Sequence, residues 1–223
     1  EKTMTLIKTI LSSDDPIKAC RDLLRPIFTQ GPECQVIFDR LFAKIESVEE
    51  NEDGSWGLSL LNDQDESCAL SFDPAYKGKP KKNVPPSFLA LVRNFNGITY
   101  DGYIPMGLNG LTRSGSILDV CGGWDAEALK EGENEGFLEQ LEEVELTEKD
   151  VPGPIDFFQN WIILHPAETN QLGEMMPYFV SHEDCEAVRI DSAEALAWGP
   201  LMLRILAQAI LTDDNDFLPE VYD

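Results

Sequence analysis

Residues 84–97 read VPPSFLALVRNFNG. Pro85 and Pro86 hold φ near the helical value and need no backbone donor, which suits a first helical turn. Phe88, Leu89, Leu91, Val92 and Phe95 recur at steps of three and four and make one broad apolar face. Asn96 and Gly97 tolerate the left-handed conformation that closes a helix. The stretch therefore predicts a short helix, punctuated at both ends and docked on a core, with Gly97 at positive φ.

On its N-terminal side, Asp14, Asp15 and Pro16 predict a helix start, with Ile17, Cys20, Leu23 and Leu24 on one face and Pro26 as its end. Cys34, Ile37, Phe38, Leu41 and Ile45 form a second stripe, a helix over Pro32–Ile45. ESVEENEDGS reads as a loop. Trp56, Leu58 and Leu60, then Cys68, Leu70 and Phe72, alternate in twos and predict a β-hairpin around NDQDES. KGKPKKN is a basic loop leading into the opening stretch.

On its C-terminal side, residues 98–121 are rich in Gly and short apolar pairs and suggest short strands and tight turns. FLEQLEEVEL sets Phe137, Leu138, Leu141 and Val144 on one face and glutamates elsewhere, an amphipathic helix. FFQNWIILH, MMPYFVSH and EAVRI predict strands. Asp191 to Glu194 fits a capping box, with Ser192 as the other candidate cap, and a last helix covers Pro200–Leu211. LTDDNDFLPEVYD is an acidic tail. Helices, a hairpin, a helix, several strands and a helix follow one another without regular β-α alternation. That order predicts an α+β fold, a mostly antiparallel, mixed sheet with helices packed against it.

The chain has 223 residues, 43% of them apolar, enough to bury a sizeable core. Forty-one acidic residues against 17 basic ones give a formal net charge of −24. Such a surface repels nucleic acid and anionic membranes, attracts basic partners and also serves solubility. Cys20, Cys34, Cys68, Cys121 and Cys185 are scattered and odd in number, with no Cys-x-x-Cys pair, which suits free thiols in a reducing cytosol. The segment EKTMTLIKTILSSDD lacks a signal-peptide pattern, and the longest apolar run, LMLRILAQAIL, is too short to span a bilayer. The expectation is a cytoplasmic protein.

A search for chemistry yields little. The two histidines, His165 and His182, have no partner at metal-ligand spacing, and neither forms a recognisable nucleophile pair with Cys185. Both are read as structural. No nucleophile elbow or phosphate loop is present, and carboxylate pairs carry no weight in so acidic a chain. No metal, cofactor or catalytic residue is expected, and the protein is read as no enzyme. Lys77, Lys79, Lys81 and Lys82 are read as a solvated loop countering the surrounding acid, with an anion or partner contact as the alternative. The helix carrying Glu139, Glu142 and Glu143 is the first candidate surface for a basic partner. The turn carrying Glu183 and Asp184 is the second.

The opening stretch resembles the signature helix of the SUKH superfamily, which includes fungal Knr-type cell-wall regulators, Syd and many bacterial toxin-immunity proteins. That signature is a Leu-Pro start, an aromatic residue, a short apolar helix and an Asn-Gly stop. Val84-Pro85, Phe88 to Phe95 and Asn96-Gly97 stand in those places. WIIL, then PYFVSHEDCEAVRI, then a closing helix from SAEAL follow in the family's order, so the likeness is tight over 84–97 and loose to 211. Ile98 replaces the family's usual second glycine, and GENEGFLEQLEEVELTEKDVPG is longer than the common pattern. The resemblance implies one domain over 1–223, with a SUKH-like core at 84–211 and a helical and hairpin extension at 1–83. It implies a non-enzymatic binding protein: an immunity protein that neutralises a basic toxin domain such as a nuclease, or alternatively a Knr-type scaffold that binds a signalling or cell-wall enzyme. A −24 protein is electrostatically matched to a phosphate-binding cleft.

Overall fold

The computed structural model describes residues 5–79, 85–100, 104–106, 128–131, 133–153, 155–157, 160–181, 183 and 185–211. Its elements in order are α1 (Leu6–Leu11), α2 (Pro16–Phe28), α3 (Gly31–Leu41), β1 (Ile45–Glu50), β2 (Trp56–Leu61), β3 (Ser67–Phe72), α4 (Pro86–Val92), β4 (Ile98–Tyr100) and β5 (Ile104–Met106). There follow α5 (Ala128–Glu131), α6 (Glu135–Glu143), β6 (Ile155–Phe157), β7 (Asn160–Thr169), β8 (Met175–Val180), β9 (Ala187–Arg189) and α7 (Trp198–Ile210). Short 3₁₀ turns sit at Glu148–Asp150 and Asp191–Ala193. The fold is α+β. Its strands form two sheets, ordered β1-β2-β3-β4-β5 and β6-β7-β8-β9. Every described pair is antiparallel, in line with the expected mostly antiparallel sheet. β5 lies beside β6, where the two sheets meet.

Asp15 starts α2 by accepting the Lys18 N–H at 2.9 Å, with Pro16 in the first turn. Pro26 does not end that helix. It sits in the last turn, and the chain stays helical to Phe28. The Phe28 ring is fully buried and stacks near Phe42 and Phe95, with centroids 6.0 and 5.8 Å away. Burying such a ring is worth about 1.5–3 kcal/mol, which offsets much of the proline penalty.

The helix expected over Pro32–Ile45, α3, stops at Leu41, and Ile45 opens β1, a strand in the segment expected to be a loop. A register shift between Ile45 and Ser47 explains the difference. The bulge puts Ile45 and Val48 out of two-residue alternation, so the strand's pattern is hidden in its sequence. The hairpin β2–β3 is as expected: Trp56 pairs with Phe72 and Leu58 with Leu70, all buried. The Trp56 and Phe72 rings stack at 4.0 Å.

α7 is apolar almost all round and lies at the centre, packed against α2, α3 and α4. It starts at Trp198. The 3₁₀ turn Asp191–Ala193 and a short turn precede it, so SAEAL starts no helix, and neither Asp191 nor Ser192 caps one there. Asp191 and Glu194 instead bind Arg189. Through β3–β4 pairing and the α2, α3 and α7 contacts, residues before and after Pro85 share one core.

α4 forms with Phe88, Leu91 and Val92 inside. Its close differs from the expected one. Gly97 does not have positive φ; the described glycines that do are Gly31, Gly54 and Gly173. A Cβ at 97 would stand 2.5 Å from Asp73 Oδ2, so that carboxylate would have to turn aside, while the Gly97 carbonyl accepts the Asp73 N–H at 3.0 Å.

Candidate partner-binding surface

α6 buries Phe137 and Leu141 and exposes Glu139, Glu142 and Glu143. Its amphipathic spacing does this directly, except at Val144, which ends the helix and is 48% exposed rather than inside. Two backbone bonds close the helix, Glu145 N–H to the Glu142 carbonyl at 3.0 Å and Leu146 N–H to the Leu141 carbonyl at 2.9 Å. This double closure requires a left-handed residue at 145, a place that glycine usually fills. Glu145 fills it here, with φ 58°. Three glutamates, Glu142, Glu143 and Glu145, thus crowd the negative end of the helix dipole, and the last turn holds no basic residue. The exposed Val144 stands among them.

Two tethers hold α6. At its start, Asn134 does not cap the helix with its side chain. Its amide instead donates to the Leu129 carbonyl at 3.0 Å and the Cys185 carbonyl at 2.8 Å and accepts the Ala187 N–H at 2.7 Å. That binds the turn carrying Glu183 to the N-terminal end of α6, the end opposite Glu142 and Glu143. Glu183 is exposed. Asp184 and His182 lie outside the described residues. The second tether is His165 Nε2, 3.1 Å from the Phe137 carbonyl.

Two polar clusters escaped the sequence reading. Arg189 of β9 binds Glu168 at 2.6 Å as well as Asp191 and Glu194, and Tyr178 of β8 donates to the same Glu168 carboxylate. Its bond to Glu168 is the main cause that raises the Arg189 pKa. Burial, then the Glu168 bond, raises that of the Tyr178 phenol. At the start of α4, Glu174 accepts the Ser87 N–H at 2.9 Å and its hydroxyl at 2.7 Å, and Ser87 Oγ accepts the Trp198 N–H at 2.9 Å. The first turn of α4 therefore fastens the β7–β8 turn to the first turn of α7. These residues stand far apart in sequence, so no local spacing announces them.

Cys20, Cys34 and Cys68 are buried, and burial pushes the Cys20 thiol up to about 12. Among the described residues no group of His, Cys, Asp and Glu could hold a metal ion, and no helix is long and apolar enough to cross a membrane. Lys77 and Lys79 are exposed on their loop, while Lys81, Lys82 and Cys121 lie outside the described residues, as does the acidic tail from 212. The chain matches no family model, no curated protein and no solved structure.

Proposed function

We propose that the protein is a non-enzymatic binding protein of the SUKH type, an immunity protein that neutralises a basic toxin domain such as a nuclease, and that α6 is its docking surface. The end of α6 carries this reading. Each carboxylate at the negative end of a helix forgoes about 0.3–1 kcal/mol, and a left-handed non-glycine residue costs about 1–2 kcal/mol. Glu142, Glu143 and Glu145 incur the first and Glu145 the second. Local rules broken without local gain mark surfaces kept for another purpose. Here the purpose is dense negative charge around an exposed valine, an apolar anchor within a charged rim. The net charge of −24 and the resemblance of residues 84–97 to the SUKH signature point the same way.

Affinity capture from the source cell, followed by cross-linking, tests the reading. A basic toxin domain cross-linked to α6 or to the Glu183 turn supports it. A signalling or cell-wall enzyme as the tight partner would move the protein to the Knr-type role, and an acidic partner would remove the electrostatic argument.

A further inference from the structure

His165 is fully buried in β7, and its hydrogen bonds set its tautomer. Nδ1 faces two backbone donors, the Ala167 N–H at 3.2 Å and the Glu168 N–H at 3.1 Å, so it accepts and carries no proton. Nε2 therefore holds the proton and donates it to the Phe137 carbonyl within α6. The Phe137 ring stands edge-on to the imidazole, with centroids 4.4 Å apart. One uncharged ring thus joins the acidic helix to the irregular stretch of β7 between His165 and Thr169.

A proton on Nδ1 would set an N–H against two others. The ring would have to turn or withdraw, and either motion breaks its bond to α6. The groups that face the ring come from every neighbouring element. Glu168 of β7 would favour the charged ring, but its carboxylate already accepts from Arg189 of β9 and from Tyr178 of β8. Arg189 is held in turn by Asp191 and Glu194 of the 3₁₀ turn. The Tyr178 ring packs 5.6 Å from the imidazole, and α6 contributes the Phe137 ring and carbonyl.

The geometry points to His165 as an acid-sensitive latch: the neutral ring holds α6 on β7, and the protonated ring releases it. Burial is the main cause that holds the imidazole pKa below its ordinary 6.5, against the opposing pull of the Phe137 carbonyl and of Glu168. A lowered folded pKa fixes the sign. The latch is fully closed above about pH 6.5 and weakens as the pH falls from there through the folded pKa, by up to about tenfold per pH unit. Release would displace Glu139, Glu142 and Glu143, so its effect on a partner rests on the docking role proposed for α6.

Amide hydrogen exchange, corrected for intrinsic rates, tests the latch on the full chain at pH 7.5, 6.5 and 5.5, with His182→Gln in the background to remove the second titrating ring. Protection of α6 should fall by up to about fivefold between pH 6.5 and 5.5 while β2 and β3 hold. His165→Asn should leave α6 weakly protected at every pH. Constant α6 protection with the native ring overturns the proposal, as does a loss shared equally by β2 and β3. Should His165→Asn not fold, ring ¹⁵N shifts decide with His165 in place: release of α6 in step with protonation supports the latch, and protonation that leaves α6 protected overturns it. Exchange needs no partner. A working latch beside pH-indifferent partner binding would sink the docking role and leave the latch standing.

Discussion

An alanine methyl at Gly97 would meet Asp73 Oδ2 at 2.5 Å and Asp73 Cγ at 3.2 Å. Gly97→Ala should therefore destabilise the fold by about 0.5–1.5 kcal/mol, the cost of turning the Asp73 carboxylate off its rotamer. In an Asp73→Ala background most of that loss should vanish, a coupling that denaturant melts of the double-mutant cycle read directly. An equal loss in both backgrounds would show that backbone conformation, not the Asp73 side chain, sets the requirement. The glycine was legible in the sequence, but its reason was not, because Asp73 reaches it only through the fold. Glu145 is the opposite case. Its left-handed φ is invisible in FLEQLEEVEL, where nothing marks a helix end. Glu145→Gly should stabilise the protein by about 1 kcal/mol by relieving that conformation. A melting temperature unchanged or lowered by the substitution would remove the argument that α6 forgoes stability at its end.

Between elements, the bond from Ser87 to Glu174 spans 87 residues of sequence. It ties α4 to the β7–β8 turn, and the Ser87 hydroxyl then reaches α7. Glu174→Ala leaves the part-buried Ser87 N–H without its acceptor and should cost about 1–2 kcal/mol. Ser87→Ala should add little on top, since both changes break one network. Additive losses in urea melts would mean that the two residues act separately. Element types were largely readable where burial follows the local period, as in β2, β3, α4 and the buried face of α6. They were hidden where tertiary contacts overrule local signals. Phe28 carries α2 past Pro26, a bulge masks β1, and Arg189 takes both carboxylates of an apparent capping box. The candidate surface was legible as charge on one helix face. Its tethers, Asn134 and His165, were not, because each acts on a segment distant in sequence.

Across the whole molecule, a net charge of −24 makes the folded chain repel itself. Added monovalent salt screens that repulsion, so the melting temperature should rise between 20 and 200 mM NaCl, where the screening length shortens several-fold. A fall would mean that the described ion pairs, such as those around Arg189, outweigh the net repulsion. The same field should draw in a basic partner from a distance, and long-range attraction acts on encounter more than on escape. The decisive measurement is the association rate constant with the captured partner, taken across that salt range for the native protein and for the triple variant Glu139→Lys, Glu142→Lys, Glu143→Lys. The account predicts a native rate that falls by about tenfold or more with salt, and a triple variant that binds slowly and has lost most of that dependence, with dissociation changed far less. A rate indifferent to salt, or a triple variant that associates as fast as the native chain, would contradict it.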